Sequence, residues 1–224
     1  MRIEAKDGEA TLWIYDAIGE MFGPDAVTAK GVRDRLQSLR GIDRLTVRIN
    51  SPGGMVDDAV AIHTLLNEYK AEKTVKVDGV AASAASVIAM TGSRIEMAPG
   101  AMLMIHNPWT VAIGDGNAMR KAADVADKYR DNLVSIYAKR TKAKPADIQA
   151  AMDAETWYTA DEAVAGGMAD AVSEGELVAA FVDPELFPYK HTPAAMLKAM
   201  QQQHSPRVNL NSYRVALARA RQSA

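Results

Sequence analysis

The sequence predicts an α/β fold in which helices pack on a layered sheet of the βαβ type. Two observations support this class. Short runs of β-branched and aromatic residues alternate along the chain with segments of helical spacing. Hydrophobic residues make up 48% and charged residues 24% of the 224 residues, which are the proportions of a globular protein rather than of a disordered chain or a fibrous rod. One domain with an appendage is the simplest organisation at this length.

Strands and helices alternate through the first half of the chain. The run TLWIY at residues 11–15 is aromatic and β-branched, as in a buried strand, and LTVRIN at residues 45–50 alternates as a second strand before the turn SPGG. Small residues dominate the segment SAASVIAMT at residues 83–91, which is predicted as a helix that Gly92 ends. The remaining predicted strands lie at residues 74–78, 95–97 and 101–105, and the remaining helices at residues 26–41 and 60–69.

Three helices are predicted in the second half. Residues 117–140 form the longest helical pattern, and its continuous apolar stripe is longer than a small core requires, which indicates an interface role. A second helix begins at Pro145, a residue that suits a first helical turn, and runs to about residue 152. The third begins at Thr159, with Glu162 in the spacing of a capping box, and ends at Gly166.

Composition excludes several classes of function. The formal net charge of −2 gives no reason to expect nucleic acid as a partner. Because there is no cysteine, disulfides, thiolate metal sites and a cysteine nucleophile are excluded together. Neither a metal-ligand motif nor a phosphate-binding glycine loop occurs, so we expect no metal and no other cofactor. No stretch approaches the roughly 20 apolar residues of a membrane span, and no leader pattern is present, so we expect a cytoplasmic protein without a membrane partner.

The composition changes towards the C-terminus. Residues 190–224 contain six basic residues and no acidic one. We therefore expect a main domain at residues 1–175 and a basic extension at residues 176–224. The extension is either a site for an anion or a partner, or a flexible segment whose charge balances an acidic main domain.

Two glycine-bearing turns follow neighbouring predicted strands. The first is SPGG at residues 51–54 and the second is GVAAS, which ends at Ser83. Ends of neighbouring strands form the crevice where α/β proteins bind ligands, and glycine lets bare backbone N–H groups approach an oxyanion. Ser83 at a helix N-terminus would suit a nucleophile. The alternative is an ordinary N-cap serine.

A serine nucleophile needs a base and an orienting acid. Of the four histidines, His106 stands out because it follows the apolar strand AMLMI and precedes a turn at Asn107-Pro108. A histidine in that place can also be purely structural. Asp153 and Glu155 are both available as the carboxylate that would hold the imidazole, and their spacing alone does not choose between them.

Four motifs in order give a resemblance to a known family. They are INSPGG at residues 49–54, GVAAS at residues 79–83, MIHNP at residues 104–108, and TADEA at residues 159–163 with Gly167 to Asp170. This series resembles the ClpP family of serine peptidases over about residues 10–173. The resemblance implies a ClpP/crotonase-type fold of repeated ββα units, with residues 117–140 as a protruding handle helix.

The same resemblance assigns roles to individual residues. It implies that Ser83 is the nucleophile and that His106 is the general base and later the acid. The oxyanion hole would be formed by the backbone N–H groups of Gly54 and Ala84. Alignment on TADEA places Glu155 where the family carries an aspartate, with Asp153 as the alternative acid.

Partners are also implied by the resemblance. The substrates would be polypeptides, cut inside a homo-oligomer of heptameric rings that can stack as a tetradecamer. Docking of an ATPase unfoldase is not expected, because the chain begins almost at its first strand. A ClpP-like domain followed by a C-terminal extension resembles the ClpP-related head maturation proteases of phage and prophage. This resemblance implies a role in capsid and scaffold processing. Two alternatives remain, a catalytically inactive ring-forming scaffold and a crotonase-type acyl-CoA enzyme.

Overall fold

The computed structural model describes residues 1–174 and 182–198, and it confirms the predicted α/β class. The strands are β1 (Arg2–Lys6), β2 (Glu9–Ile14), β3 (Arg44–Ser51), β4 (Glu72–Ala82), β5 (Arg94–Met97), β6 (Met102–Ile105), β7 (Thr156–Thr159) and β8 (Ala171–Val172). The helices are α1 (Ala29–Ser38), α2 (Val56–Glu68), α3 (Ala84–Ala89), α4 (Gly116–Thr141), α5 (Pro145–Asp153), α6 (Ala160–Ala165) and α7 (Ala194–Lys198), with a 3-10 turn at Glu20–Phe22.

The sheet divides at β4. Its main path runs β1-β2-β3-β4-β5-β8, while β6 pairs with the far end of β4 and carries β7 on its other side. The pairs β1–β2 and β6–β7 are antiparallel, and the other pairs are parallel. Ala82 of β4 lies opposite Met104 of β6. Because parallel strands end at the same edge, the residues that follow β4 and β6 come together there.

A shift in strand register positions the SPGG turn. The pairing of β3 with β4 is regular up to Ile49 and then shifts, so that Ser51 lies opposite Ala81. The Ser51 hydroxyl donates to the Asp16 carbonyl at 2.7 Å and accepts from the Gly53 N–H at 3.2 Å, which closes the turn. The turn after β3 therefore lies beside the residue that follows β4.

The N-terminal hairpin was not predicted. β1 pairs with β2 through a two-residue turn, Asp7-Gly8, in which both residues have positive φ angles. Asp-Gly between two strands is a strong hairpin signal. The segment RIEAK is nevertheless mostly exposed, so it lacks the apolar alternation on which strand prediction depends.

The longest helix reaches well beyond the core. α4 has 26 residues and is therefore about 39 Å long, yet its buried residues, Leu133, Val134 and Tyr137, all lie in its last third. Val125 in its first half is half-exposed. Across residues 1–174 and 182–198, no helix combines the length and the apolar character needed to cross a membrane.

Residues 182–198, which we call the strap, pack against the main domain. They lie inside the predicted C-terminal extension, whose boundary at residue 175 falls outside the described residues. Val182, Leu186 and Phe187 are buried and form a second apolar cluster with residues at the ends of β4 and β6. The strap therefore covers the edge of the sheet at which those strands end.

Candidate active site

Ser83 occupies a strained turn between β4 and α3. Its backbone angles are φ 52° and ψ −121°, a left-handed conformation that residues with a side chain rarely adopt. Such strain is concentrated at functional sites, and a serine on a sharp strand-to-helix turn presents its hydroxyl clear of the sheet. The Ser83 side chain makes no capping hydrogen bond to the helix, so the N-cap alternative does not describe it.

The Ser83 hydroxyl instead contacts His106. The distance from Ser83 Oγ to His106 Nε2 is 2.7 Å, although the residues are 23 positions apart. Burial lowers the pKa of His106 to about 4, and the nearby charge of Glu155 acts in the opposite direction. His106 is therefore neutral above about pH 4, and a neutral imidazole can accept the hydroxyl proton.

Glu155 lies close to this pair, but no hydrogen bond connects it to His106. Its side chain is buried and its φ of 48° is also left-handed. The carboxylate accepts the backbone N–H of Lys190 at 2.9 Å and of His191 at 2.7 Å. Burial alone would raise the pKa of Glu155, but these two donors hold it below its usual value, so the group is charged.

Asp153, the alternative acid, is directed elsewhere. Its Oδ1 accepts a hydrogen bond from the Asn107 side chain at 2.7 Å in an exposed position. Within the part of the chain that the structure describes, neither Asp153 nor Glu155 is hydrogen-bonded to His106. Of the two carboxylates, Glu155 is the one whose charge acts on the imidazole.

The SPGG turn brings backbone N–H groups to the serine. A Cβ atom added to Gly53 would lie 2.5 Å from the Ala82 carbonyl oxygen and 3.1 Å from the Ala84 nitrogen, so only glycine permits this approach. Ile18 pins the turn, since its N–H donates to Gly53 and its carbonyl accepts from Met55, both at 2.8 Å. The N–H groups of Gly54 and Ala84 are not donors in any of the turn and loop hydrogen bonds found between described residues, and these two groups remain the predicted oxyanion hole.

Ser86, one turn along α3, has a supporting position. It is fully buried, donates to the Ser83 carbonyl at 2.6 Å and lies 2.8 Å from the Tyr137 hydroxyl of α4. This double contact holds the first turn of α3 against the base of α4. The arrangement leaves Ser86 no access to a substrate.

The strap adds residues that the sequence analysis did not assign to the site. The Tyr189 ring meets the His106 ring edge to face at a centroid distance of 5.2 Å, and its hydroxyl donates to the Pro52 carbonyl at 2.6 Å. The run LFPY at residues 186–189, with two aromatic residues, was the feature of the sequence that could have pointed to a packed segment here. No local pattern links it to Pro52, from which Tyr189 is 137 residues distant.

The other histidines do not join this pair. His63 lies on α2 within 3.2 Å of the Asn67 side chain, and His191 lies on the strap within 3.2 Å of the Ala154 carbonyl. His204 falls outside the described residues. In residues 1–174 and 182–198, no group of three or more acidic or histidine side chains could hold a metal ion.

Comparisons with known proteins indicate one family. The family model described as Clp protease matches residues 10–176. The chain is 35% identical over 128 residues to the ATP-dependent Clp protease proteolytic subunit 1 of Protochlamydia amoebophila, covering 55% of this chain and 62% of that protein, which is less than two thirds of its length. It is 30% identical over 187 residues to the subunit of the same name from Chlamydia abortus, covering 74% of this chain and 95% of that protein.

A solved structure shows the same fold. A point mutant of ClpP1 from Listeria monocytogenes superposes with a TM-score of 0.65 and 25% sequence identity. The match covers 74% of this chain and 92% of that chain. The prediction of a ClpP-type architecture is therefore confirmed.

Proposed function

This chain belongs to the Clp protease family, and from that premise we propose that it is a serine endopeptidase with Ser83 as nucleophile and His106 as general base. The observation that carries the proposal is the 2.7 Å contact between Ser83 Oγ and His106 Nε2, made by a serine in strained left-handed backbone. Polypeptides are the proposed substrates.

In the proposed first half-reaction, Ser83 Oγ attacks the scissile carbonyl carbon and its proton passes to His106 Nε2. The N–H groups of Gly54 and Ala84 bind the oxyanion of the tetrahedral intermediate. When that intermediate collapses, the C–N bond breaks and His106 gives its proton to the leaving amine. The products are a free amine and an ester on Ser83.

In the second half-reaction, water takes the place of the amine. His106 accepts a proton from the water as its oxygen attacks the ester carbonyl. Collapse of the second intermediate breaks the bond to Ser83 Oγ, and His106 returns the proton to that oxygen. A carboxylic acid leaves, and both residues regain their starting protonation states.

We assign the role of acid to Glu155, with Asp153 as the alternative. A negative charge beside His106 stabilises the imidazolium that forms in each half-reaction. Glu155 is buried and its charge acts on His106, whereas Asp153 is exposed and bonded to Asn107. Neither carboxylate is hydrogen-bonded to His106, and this observation favours the second candidate function, an inactive scaffold.

We propose that the protein acts as a homo-oligomeric ring, with α4 as the handle between rings. Support comes from the exposed apolar residues on α4 and on the loop before it, which are Trp109, Val111, Ile113, Met119 and Val125. A heptameric ring, its stacking as a tetradecamer, a cytoplasmic location and a role in phage capsid processing remain parts of this proposal. The relatives carry the words ATP-dependent in their names, whereas we do not expect an ATPase to dock on this chain. The experiment below is therefore run without ATP, so that it tests activity independent of an ATPase.

The test is intact mass spectrometry after prolonged exposure to a fluorophosphonate probe, with no ATPase added. Wild-type protein should gain one adduct, located on Ser83 by peptide mapping, and Ser83→Ala should gain none. Ser38→Ala, which removes an exposed serine of α1, is the matched control and should be labelled like wild type. If neither wild type nor the strap variants described below gain an adduct, the chain is a scaffold.

A further inference from the structure

The strap is anchored by apolar side chains beside the catalytic residues. Phe187 stacks on Phe22 at a centroid distance of 5.2 Å, and Leu186 is buried in the same cluster. The cluster includes Val80 and Ala82 at the end of β4. Since Ser83 follows Ala82 directly, the strap is seated on the approach to the nucleophile.

Tyr189 of the strap lies against the proposed general base. Its ring lies against His106 at 5.2 Å and against Trp157 at 5.9 Å, and its hydroxyl is bonded to the Pro52 carbonyl. Burial raises the pKa of Tyr189, so the phenol remains protonated and can donate to the Pro52 carbonyl. A peptide bound against His106 would compete with this ring for the same space.

The strap also engages the acid. Both carboxylate oxygens of Glu155 accept strap backbone N–H groups, one from Lys190 and one from His191. His191 adds a contact to the Ala154 carbonyl at 3.2 Å. The carboxylate that should hold His106 is thus bonded to the strap, and not to the imidazole.

We propose that the strap is an intramolecular inhibitor, which occupies the substrate-binding site and keeps the peptidase latent until the strap is displaced. Its occupant is this chain's own segment, residues 182–198. One segment blocks access to Ser83 through Tyr189 and withholds Glu155 from His106. The inference rests on the proposed function, because latency has meaning only for an active centre.

Alternatively, the strap could support catalysis by holding Glu155 in the position that the reaction needs. The two roles predict opposite effects of loosening the strap. An inhibitory strap that is weakened must raise the reactivity of Ser83, because more molecules have an open site. A supporting strap that is weakened must lower it.

The experiment compares rates of fluorophosphonate labelling and of hydrolysis of an unstructured peptide. Tyr189→Ala removes the ring over His106, and Leu186→Ala loosens the anchor without touching Ser83, His106 or Glu155. Each should raise both rates at least about tenfold, the factor expected when a mostly closed state opens. Glu185→Ala, an exposed change on the strap, is the matched control and should leave both rates unchanged.

Two further readouts separate release of the strap from local effects. A synthetic peptide of residues 182–198 should inhibit the Leu186→Ala variant, and the same peptide with alanine at Phe187 and Tyr189 should not. Opening the site also exposes His106 to water, which should raise its pKa from the value of about 4 that burial produces. In the pH profile of the labelling rate, the decrease at acid pH should therefore begin at a higher pH than in wild type.

Several results would overturn the proposal. If both variants keep their circular dichroism spectra and are labelled no faster than wild type, the strap is not an inhibitor. Activation by Tyr189→Ala alone, without inhibition by the added peptide, would assign the effect to one side chain instead of the strap. Failure of every variant to react would refute the proposed function itself, whereas fast labelling of wild type would refute only the latency.

Discussion

Replacing Gly53 by alanine should disable the site through a clash that can be measured on the structure. The new Cβ would lie 2.5 Å from the Ala82 carbonyl oxygen, and ordinary contact begins at 3.4 Å, so backbone must move by about 0.9 Å. The atoms in the way belong to the turn that carries Ser83 and to the Ala84 N–H, 3.1 Å from the same Cβ. Misplacing a catalytic group by about 1 Å can cost about 10²-fold in rate.

The stability cost has two parts. Gly53 has a φ of +99°, where a side chain costs about 1–2 kcal/mol in strain. The clash adds to this, for a total loss of about 2–4 kcal/mol. Gly41→Ala is the matched control, because Gly41 also has a positive φ of +61° but an added Cβ there meets nothing within 4 Å.

The assay pairs the rate of Ser83 labelling with the free energy of unfolding from urea titration. Gly53→Ala should lose about 10²-fold in labelling and more stability than Gly41→Ala, which should be labelled like wild type. The reasoning is refuted if the two variants lose equal stability and Gly53→Ala reacts at the wild-type rate. In that case the SPGG turn would not be tightly fitted to the nucleophile.

Two other predictions concern the charged groups around the imidazole. In a Leu186→Ala background, Glu155→Gln should reduce peptide hydrolysis by about 10³ to 10⁴-fold, while Asp153→Asn should change it little; equal, small losses would remove both from the role of acid. The pKa of His106 is about 4 in the folded state and 6.5 ordinarily, so the unfolded chain binds the extra proton first as pH falls. Wild type should therefore lose up to about 3 kcal/mol more than His106→Gln between pH 7 and pH 4, and regain it as pH rises. Parallel pH profiles of unfolding free energy for the two proteins would contradict the buried, neutral imidazole.

Local patterns were sufficient for most of the fold. Alternation in LTVRIN predicted β3, and the small residues of SAASVIAMT predicted a helix. The structure adds that every residue of α3 is buried, which explains why its side chains are small. β4 extends to Ala82, beyond the predicted end at residue 78, since its last residues pair with β6 and are buried with no polar alternation. β7, at Thr156–Thr159, is partly exposed along its whole length and pairs with β6 at the edge of the described sheet, so no apolar alternation marked it.

The sequence predicted some residues of the site and not others, because some contacts join residues that are far apart in the chain and follow no motif. Ser83 and His106 follow two paired strands, so motif and topology both placed them together. The contacts of Glu155 with Lys190 and His191 join residues 35 and 36 positions apart without any repeating pattern. Tyr189 was hidden for the same reason, because its partners are set by tertiary packing alone.

The position of the strap in the chain determines when it can act. The ribosome adds about 5–20 residues per second, so the 34 residues from Glu155 to Tyr189 take about 2–7 s to synthesise. Every proposed catalytic group, from Gly54 to Glu155, is made before the segment that covers it. Each nascent chain therefore passes through an interval in which its proposed catalytic residues have been synthesised and the strap has not, so the proposed inhibition can begin only after that interval.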